Sequence, residues 1–206
     1  MKTNMWTLKF TGMIVLLSIS TGCKTYMSLK YGMTQPKEET PARLSAFLEK
    51  HHFPAENLYM FNDSASYCQE MRDPVFSKYL IGHMIFTRDG TLLQRDTAQC
   101  QWAGYDLVKS LHPDSVYEKS SEVQLSQILP KIIPFGMNST AAGSIMEPDF
   151  TLIVTWAKFI GKYNYRLFVL DEAVKLNTTA RIRLIWLNVD MQESWKLSPE
   201  QKVAIR

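Results

Sequence analysis

The run Asp149-Phe150-Thr151-Leu152-Ile153-Val154-Thr155-Trp156-Ala157-Lys158-Phe159-Ile160-Gly161-Lys162-Tyr163 restricts the fold more than any other part of the chain. Up to Trp156 it is almost continuously apolar and β-branched, the pattern of a strand covered on both faces. Gly161 then supplies a turn, and Tyr163, Leu167, Leu170 and Val174 recur at helical spacing, so a helix with one buried stripe follows. Residues 182–189 form a second buried run, with Asn188 and Asp190 at its end. A buried strand, a helix and another buried strand imply a parallel pair joined by a right-handed crossover.

The remainder of the chain alternates in the same way. Thr40 can cap a helix that has Pro41 at its first position and Leu44, Phe47 and Leu48 on one face up to His51. Residues 57–62 read as a strand and residues 64–71 as a helix, ended by Asp73-Pro74. Two apolar runs, residues 79–87 and 91–94, meet at Arg88-Asp89-Gly90, a strong hairpin signal. A helix over 104–111 follows, with Tyr105, Leu107, Val108 and Leu111 facing the core. Ser120 or Ser121 can cap a further helix carrying Val123, Leu125, Ile128 and Leu129. Residues 136–146 are rich in small and polar types and read as a loop, and Ser198-Pro199-Glu200-Gln201 reads as a capped helix start.

The order Trp156-Ala157-x-Phe159-x-Gly161 resembles the active-site turn of the thioredoxin-like family, in which a strand ending in Trp-Ala delivers a Cys-Gly-x-Cys element to a helix N-terminus. Ile160 and Tyr163 stand where that pattern has its two cysteines. The hairpin with Asp89-Gly90 at its tip, followed by a helix, is similar to the second half of such a domain. The family places a cis proline before the hairpin, whereas no proline occurs here between Pro74 and Pro113, and Leu80-Ile81 fill that place. The resemblance covers about the last 60 residues and, more loosely, residues 57–111. It implies an α/β fold, a thioredoxin-like mixed sheet flanked by helices. The hairpin half precedes the strand-turn-helix half, as a permuted order or as remnants of two related units.

The first 22 residues are read as an export signal. Lys2 and Lys9 lie beside the run 10–19, apolar except for Thr11, Gly12 and Ser18 and too short to span a bilayer as a helix, and the small residues Ser20-Thr21-Gly22 precede Cys23. Gly22-Cys23 resembles a lipobox, which implies acylation of Cys23 and a lipid-anchored protein of the cell envelope. Lys24 after that cysteine makes the outer membrane the default over the inner. The expected organisation is a signal peptide at 1–22, a tether at 23–39 and one domain at 40–206, which a chain of 206 residues accommodates. Without Lys2 and Lys9 the chain has 21 basic and 20 acidic side chains, a balance that argues against nucleic-acid binding. Asp63-Ser64-Ala65, Asp96-Thr97-Ala98 and Asp114-Ser115-Val116 resemble the acceptor pattern of exported Bacteroidetes glycoproteins.

The chemistry is constrained mainly by what the turn lacks. A thiolate attacks disulfides, and neither Ile160 nor Tyr163 can form one. Lys158 in the same turn could offer a cation or stay solvated, and Trp156 could line a peptide groove or be buried. Cys68 and Cys100 remain as an even pair that an oxidising compartment could bridge, as two separate buried thiols, or as one catalytic thiol. No spacing of His51, His52, His83 or His112 with acidic residues reaches a metal motif, and no phosphate loop or nucleophile elbow is present. The expected role is therefore non-catalytic binding of a peptide or protein partner without cofactor or metal. The alternatives are a thiol enzyme using Cys68 or Cys100 and a structural envelope lipoprotein.

Overall fold

A run of seven buried residues, Phe150–Trp156, forms the middle of a seven-stranded mixed sheet in the computed structural model, which describes residues 25–26, 28–53, 56–94, 102–135 and 147–203. In chain order the strands are β1 (Glu38–Glu39), β2 (Leu58–Phe61), β3 (His83–Thr87), β4 (Thr91–Leu93), β5 (Lys119–Gln124), β6 (Ile132–Pro134), β7 (Phe150–Trp156), β8 (Ile182–Asn188) and β9 (Met191–Gln192). The helices are α1 (Pro41–Lys50), α2 (Ser64–Arg72), α3 (Pro74–Ser77), α4 (Trp102–Ser110), α5 (Leu125–Ile128), α6 (Tyr165–Leu176) and α7 (Pro199–Val203). The large sheet has the order β5-β4-β3-β7-β8-β2-β6, and β1 pairs with β9 apart from it. The chain is thus an α/β protein with helices flanking a mixed sheet.

The parallel pair expected from the two buried runs is present: β7 and β8 align from Phe150 opposite Ile182 to Trp156 opposite Asn188. Leu152, Ile153, Val154, Ile185 and Leu187 are fully buried along it. At about 1.5–3 kcal/mol for each large aliphatic side chain removed from water, these strands are the main apolar contribution to the fold. The hairpin forms at Asp89-Gly90, with Gly90 at a φ of 80° and β3 antiparallel to both β4 and β7. Residues 57–111 and 150–190 therefore share one sheet. α4 packs against α6, and the Asn177 amide locks the two by donating to the carbonyls of Val108 and Leu111 at 2.9 and 3.0 Å.

Local capping chemistry sets most helix starts. The Thr40 hydroxyl accepts from the Arg43 amide at 3.2 Å, and Asp63 accepts from Ser66 at 2.7 Å. Asp73 closes α2 and its carboxylate then accepts from Val75 and Phe76, starting α3. At the C-terminal end, the Ser198 hydroxyl and the Gln201 side chain each accept from the other's backbone amide.

Three expectations change. Residues 119–124 are the edge strand β5, paired with β4 across a register shift at Thr91/Leu92, and the helix expected there shrinks to the single turn α5. Its start is fixed by the Gln124 and Gln127 capping box rather than by Ser120 or Ser121. The strand expected over 79–87 begins only at His83. The Thr155 hydroxyl donates toward the carbonyls of Tyr79 and Gly82 and accepts from the Gly82 amide, holding residues 79–82 as a turn. The segment expected as a tether is laid onto the domain: residues 25–26 and 28–31 are helical, Thr34 donates to the Phe159 carbonyl at 2.8 Å, and β1 pairs with β9. The loop expected at 136–146 lies outside the described residues.

Candidate functional site

The turn after β7 is built from the strand outwards. Trp156 is fully buried, with Phe47 stacked parallel at 6.3 Å and Phe53 tilted against it at 4.8 Å, so it lines no groove. Its indole N–H is buried without an acceptor among the described residues. Beyond Ala157 the chain makes a 3₁₀ segment, Lys158–Asn164, interrupted at Gly161, where φ is 55° and ψ is −131°. Asn164 braces this segment: its amide donates to the Ala157 carbonyl at 2.8 Å and to the Gly161 carbonyl at 2.9 Å. Then α6 begins at Tyr165, and the expected order of strand, turn and helix is met.

Each residue singled out in this turn has a structural occupation. Ile160 is 1 % exposed. Lys158 is not a solvated turn lysine: its backbone N–H donates to Asp190 at 2.7 Å and its ammonium to Glu39 at 2.7 Å. Asn188 donates to the same Asp190 oxygen at 2.9 Å, and the Gln192 amide donates to the Asn188 side chain and the Asp190 carbonyl. Burial pushes the Asp190 carboxyl up to about 6, while the Lys158 amide and Asn188 oppose the shift. Asn188 and Asp190 at the strand end thus build a sealed polar junction joining the turn, β1 and β9. Tyr163 is half-buried, its ring edge-on to Tyr31 at 5.3 Å, with the Arg166 guanidinium 4.8 Å from the Tyr31 ring and 5.5 Å from its own.

The N-terminal segment covers this turn. A Cβ on Gly161 would collide with the Tyr31 carbonyl oxygen and lie 2.7 Å from that of Gly32, so backbone sits directly on the glycine. Buried thiol chemistry is not drawn to the site either. Cys68 is 5 % exposed in the middle of α2, away from any helix N-terminus, and Cys100 and Cys23 lie outside the described residues, as does any Cys68–Cys100 bridge. Ser64 falls in the first turn of α2, Ser115 lies in an exposed loop beside a fully exposed Val116, and Thr97 is outside the described residues.

At the opposite end of β7 a cleft of about 760 Å³ opens, lined by Arg88, Val116, Tyr117, Lys119 and Phe150 among others. Asp149 at its base accepts from the Arg181 side chain at 3.0 and 3.2 Å and from Arg88, and the Arg181 contacts chiefly hold its carboxyl well below the usual carboxylate range. Lys119 pairs with Asp89 at 2.7 Å on the rim. Among the described residues no group of three His, Cys, Asp or Glu side chains could hold a metal, and no helix is long and apolar enough to cross a membrane.

Comparison with family models, curated proteins and solved structures returns no match. The site therefore has to be read from its own geometry. Of the residues singled out in the sequence, Trp156, Lys158, Ile160 and Tyr163 lie on or beside this turn, and Asn188 and Asp190 lie at the strand end next to it. Sequence reasoning missed Glu39, Asn164 and Gln192. Asn164, directly after the turn, carried a weak local signal of turn bracing; Glu39 carried none, because its partner Lys158 is distant in sequence, and Gln192 was passed over although its partners Asn188 and Asp190 are close by.

Proposed function

We propose that the chain is a lipid-anchored envelope protein whose thioredoxin-like domain performs no thiol chemistry and holds a peptide or protein partner. The sheet order supports the kinship: β3 of the hairpin lies antiparallel beside β7, β7 is parallel to β8, and the hairpin half comes first in the chain, as a permuted order requires. The observation that carries the loss of redox function is Ile160, buried in the first thiol position, with the chain's own backbone lying over Gly161 beside it. A nucleophile there would need exposure as well as a sulfur. The turn has become a structural junction, with Lys158 committed to Glu39 and Asp190.

The partner is assigned to the cleft at the other end of β7, a strand of seven residues and so about 20 Å from the turn at 3.3 Å per residue. Its mixture of exposed Val116, an edge-on Tyr117–Phe150 pair at 5.7 Å and the rim charges Arg88 and Lys119 suits a protein surface or peptide better than a small enclosed ligand. The test is site-specific photocrosslinking in native membranes, with the probe at Val116 or at Leu176, also exposed, as reference. A discrete adduct from Val116 alone is the expected result. No adduct from either site would leave the chain a purely structural envelope lipoprotein and refute the binding role.

A further inference from the structure

We propose that the face formed by residues 25–31 and the turn after β7 lies directly on the headgroups of an anionic lipid bilayer, so that the domain is clamped to the membrane surface rather than suspended from it. This inference rests on the reading of Cys23 as the acylated residue. Tyr26 and Leu29 are 55 % and 82 % exposed on the helical segment, and Tyr165 and Ile81 add exposed apolar surface near the same end of the sheet. Between them runs an alternating stack of cations and rings. Lys30 lies 5.1 Å from the Tyr26 ring and 5.3 Å from that of Tyr31, and Arg166 bridges Tyr31 and Tyr163. Amphipathic rings flanked by long basic side chains are the chemistry of a membrane interface, where rings sit at headgroup depth and cations reach phosphate.

The charge distribution selects lipid as the occupant. Residues 25–35 and 150–170 contain no Asp or Glu, yet they carry Lys30, Lys162 and Arg166 besides Lys158, which is committed to Glu39. Of the junction carboxylates, Glu38 and Glu39 pair with Lys202 and Lys158, and Asp190 is buried. Chain length then fixes the placement. Thr25 is two residues beyond Cys23, a reach of about 7 Å at most for extended chain. From Tyr31 onward the segment is pinned by the Gly161 contact, the Thr34–Phe159 hydrogen bond and the β1–β9 pairing. With only a two-residue connector and one short helical segment between Cys23 and the pinned chain, acyl chains at Cys23 draw this face onto the bilayer, and the cleft at the far end of β7 points away from it.

The experiment uses the full acylated chain in phosphatidylcholine vesicles with and without phosphatidylglycerol. An environment-sensitive dye is attached at Leu29→Cys or Val116→Cys, each in a Cys68→Ala, Cys100→Ala background, and quenched by lipid-borne nitroxide or aqueous iodide. The expected result is several-fold stronger nitroxide quenching and several-fold weaker iodide quenching at position 29 than at 116, with a larger contrast in the anionic vesicles. Equal quenching at the two positions, or greater iodide access at 29, overturns the proposal. Should the variants misfold, amide hydrogen exchange on the unmodified chain replaces them: residues 25–31 exchange several-fold slower in vesicles than in the unacylated Cys23→Ala chain in solution, and equal rates overturn the clamp. Intact mass separates the two levels. A chain without acyl groups refutes the anchor reading and this inference together; an acylated chain with Leu29 in water refutes this inference alone.

Discussion

Replacing Gly161 with alanine tests whether the N-terminal segment truly seals the turn. Two costs combine. The backbone at φ 55° and ψ −131° is open in practice only to glycine, so a side chain there costs about 1–3 kcal/mol. The new Cβ also meets the carbonyls of Tyr31 and Gly32, which are main chain and cannot swing aside as a side-chain tip would. Relief requires lifting the segment, which loses the Thr34–Phe159 hydrogen bond, worth about 1 kcal/mol net, and the Tyr31–Tyr163 ring contact, worth about 0.5–1.5 kcal/mol. Gly161→Ala should therefore destabilise by about 2.5–5.5 kcal/mol in urea titration. It should also make residues 28–37 markedly more sensitive to limited proteolysis. Gly32→Ala is the control: φ is +66° but nothing lies within 4 Å of its Cβ, so the expected cost is only about 1 kcal/mol. A Gly161→Ala chain that matches the control in both stability and proteolysis refutes the sealed-turn reasoning.

Four further outcomes follow from the structure. Lys158→Met leaves the buried Glu39 without its cation; because the lysine is itself one-third exposed, the expected loss is about 2 kcal/mol, and Glu39→Gln in the same chain should recover part of it, as a double-mutant cycle would measure. Asp190, raised from its ordinary 3.8 to about 6, binds its proton more tightly when folded, so its stabilising contribution is full below pH 4 and is lost as pH rises through about 6, a change of about 3 kcal/mol; Asp190→Asn should flatten the stability profile across that window. Asp149 and Asp89 act in the opposite sense, being held low chiefly by Arg181 and Lys119, and lose stability as pH falls below about 4. Gly104→Ala places a Cβ 2.5 Å from the His83 ring in a packed interior, and an overpacking cost of about 1–3 kcal/mol should appear as a lowered Tm.

The parts of the fold legible in the sequence are those where local pattern and tertiary environment agree. Phe150–Trp156 and Ile182–Asn188 announce burial on both faces because most of their side chains are large and apolar, and Asp89-Gly90 and Thr40-Pro41 fix a turn and a helix start through local preferences. Residues 119–124 deceived because two serines ahead of Val123, Leu125, Ile128 and Leu129 mimic a capped amphipathic helix, whereas pairing with Thr91–Leu93 decides the outcome. Residues 79–82 look like strand until one hydroxyl, on Thr155, captures their backbone. The candidate turn was legible as a strand, a bend at Gly161 and a helix. Its covering was not, since residues 31–39 dock mainly through main-chain hydrogen bonds and a carboxylate whose lysine is distant in sequence.

The most direct measurement is catalysed thiol-disulfide exchange: reduction of insulin disulfides by a small thiol in the presence of the full chain, beside a Cys68→Ala, Cys100→Ala chain. A turn occupied by Ile160 and Tyr163 and capped by its own N-terminal segment leaves both chains at the uncatalysed rate. Acceleration by the natural chain that disappears in the double variant would contradict the account and make this protein a thiol enzyme.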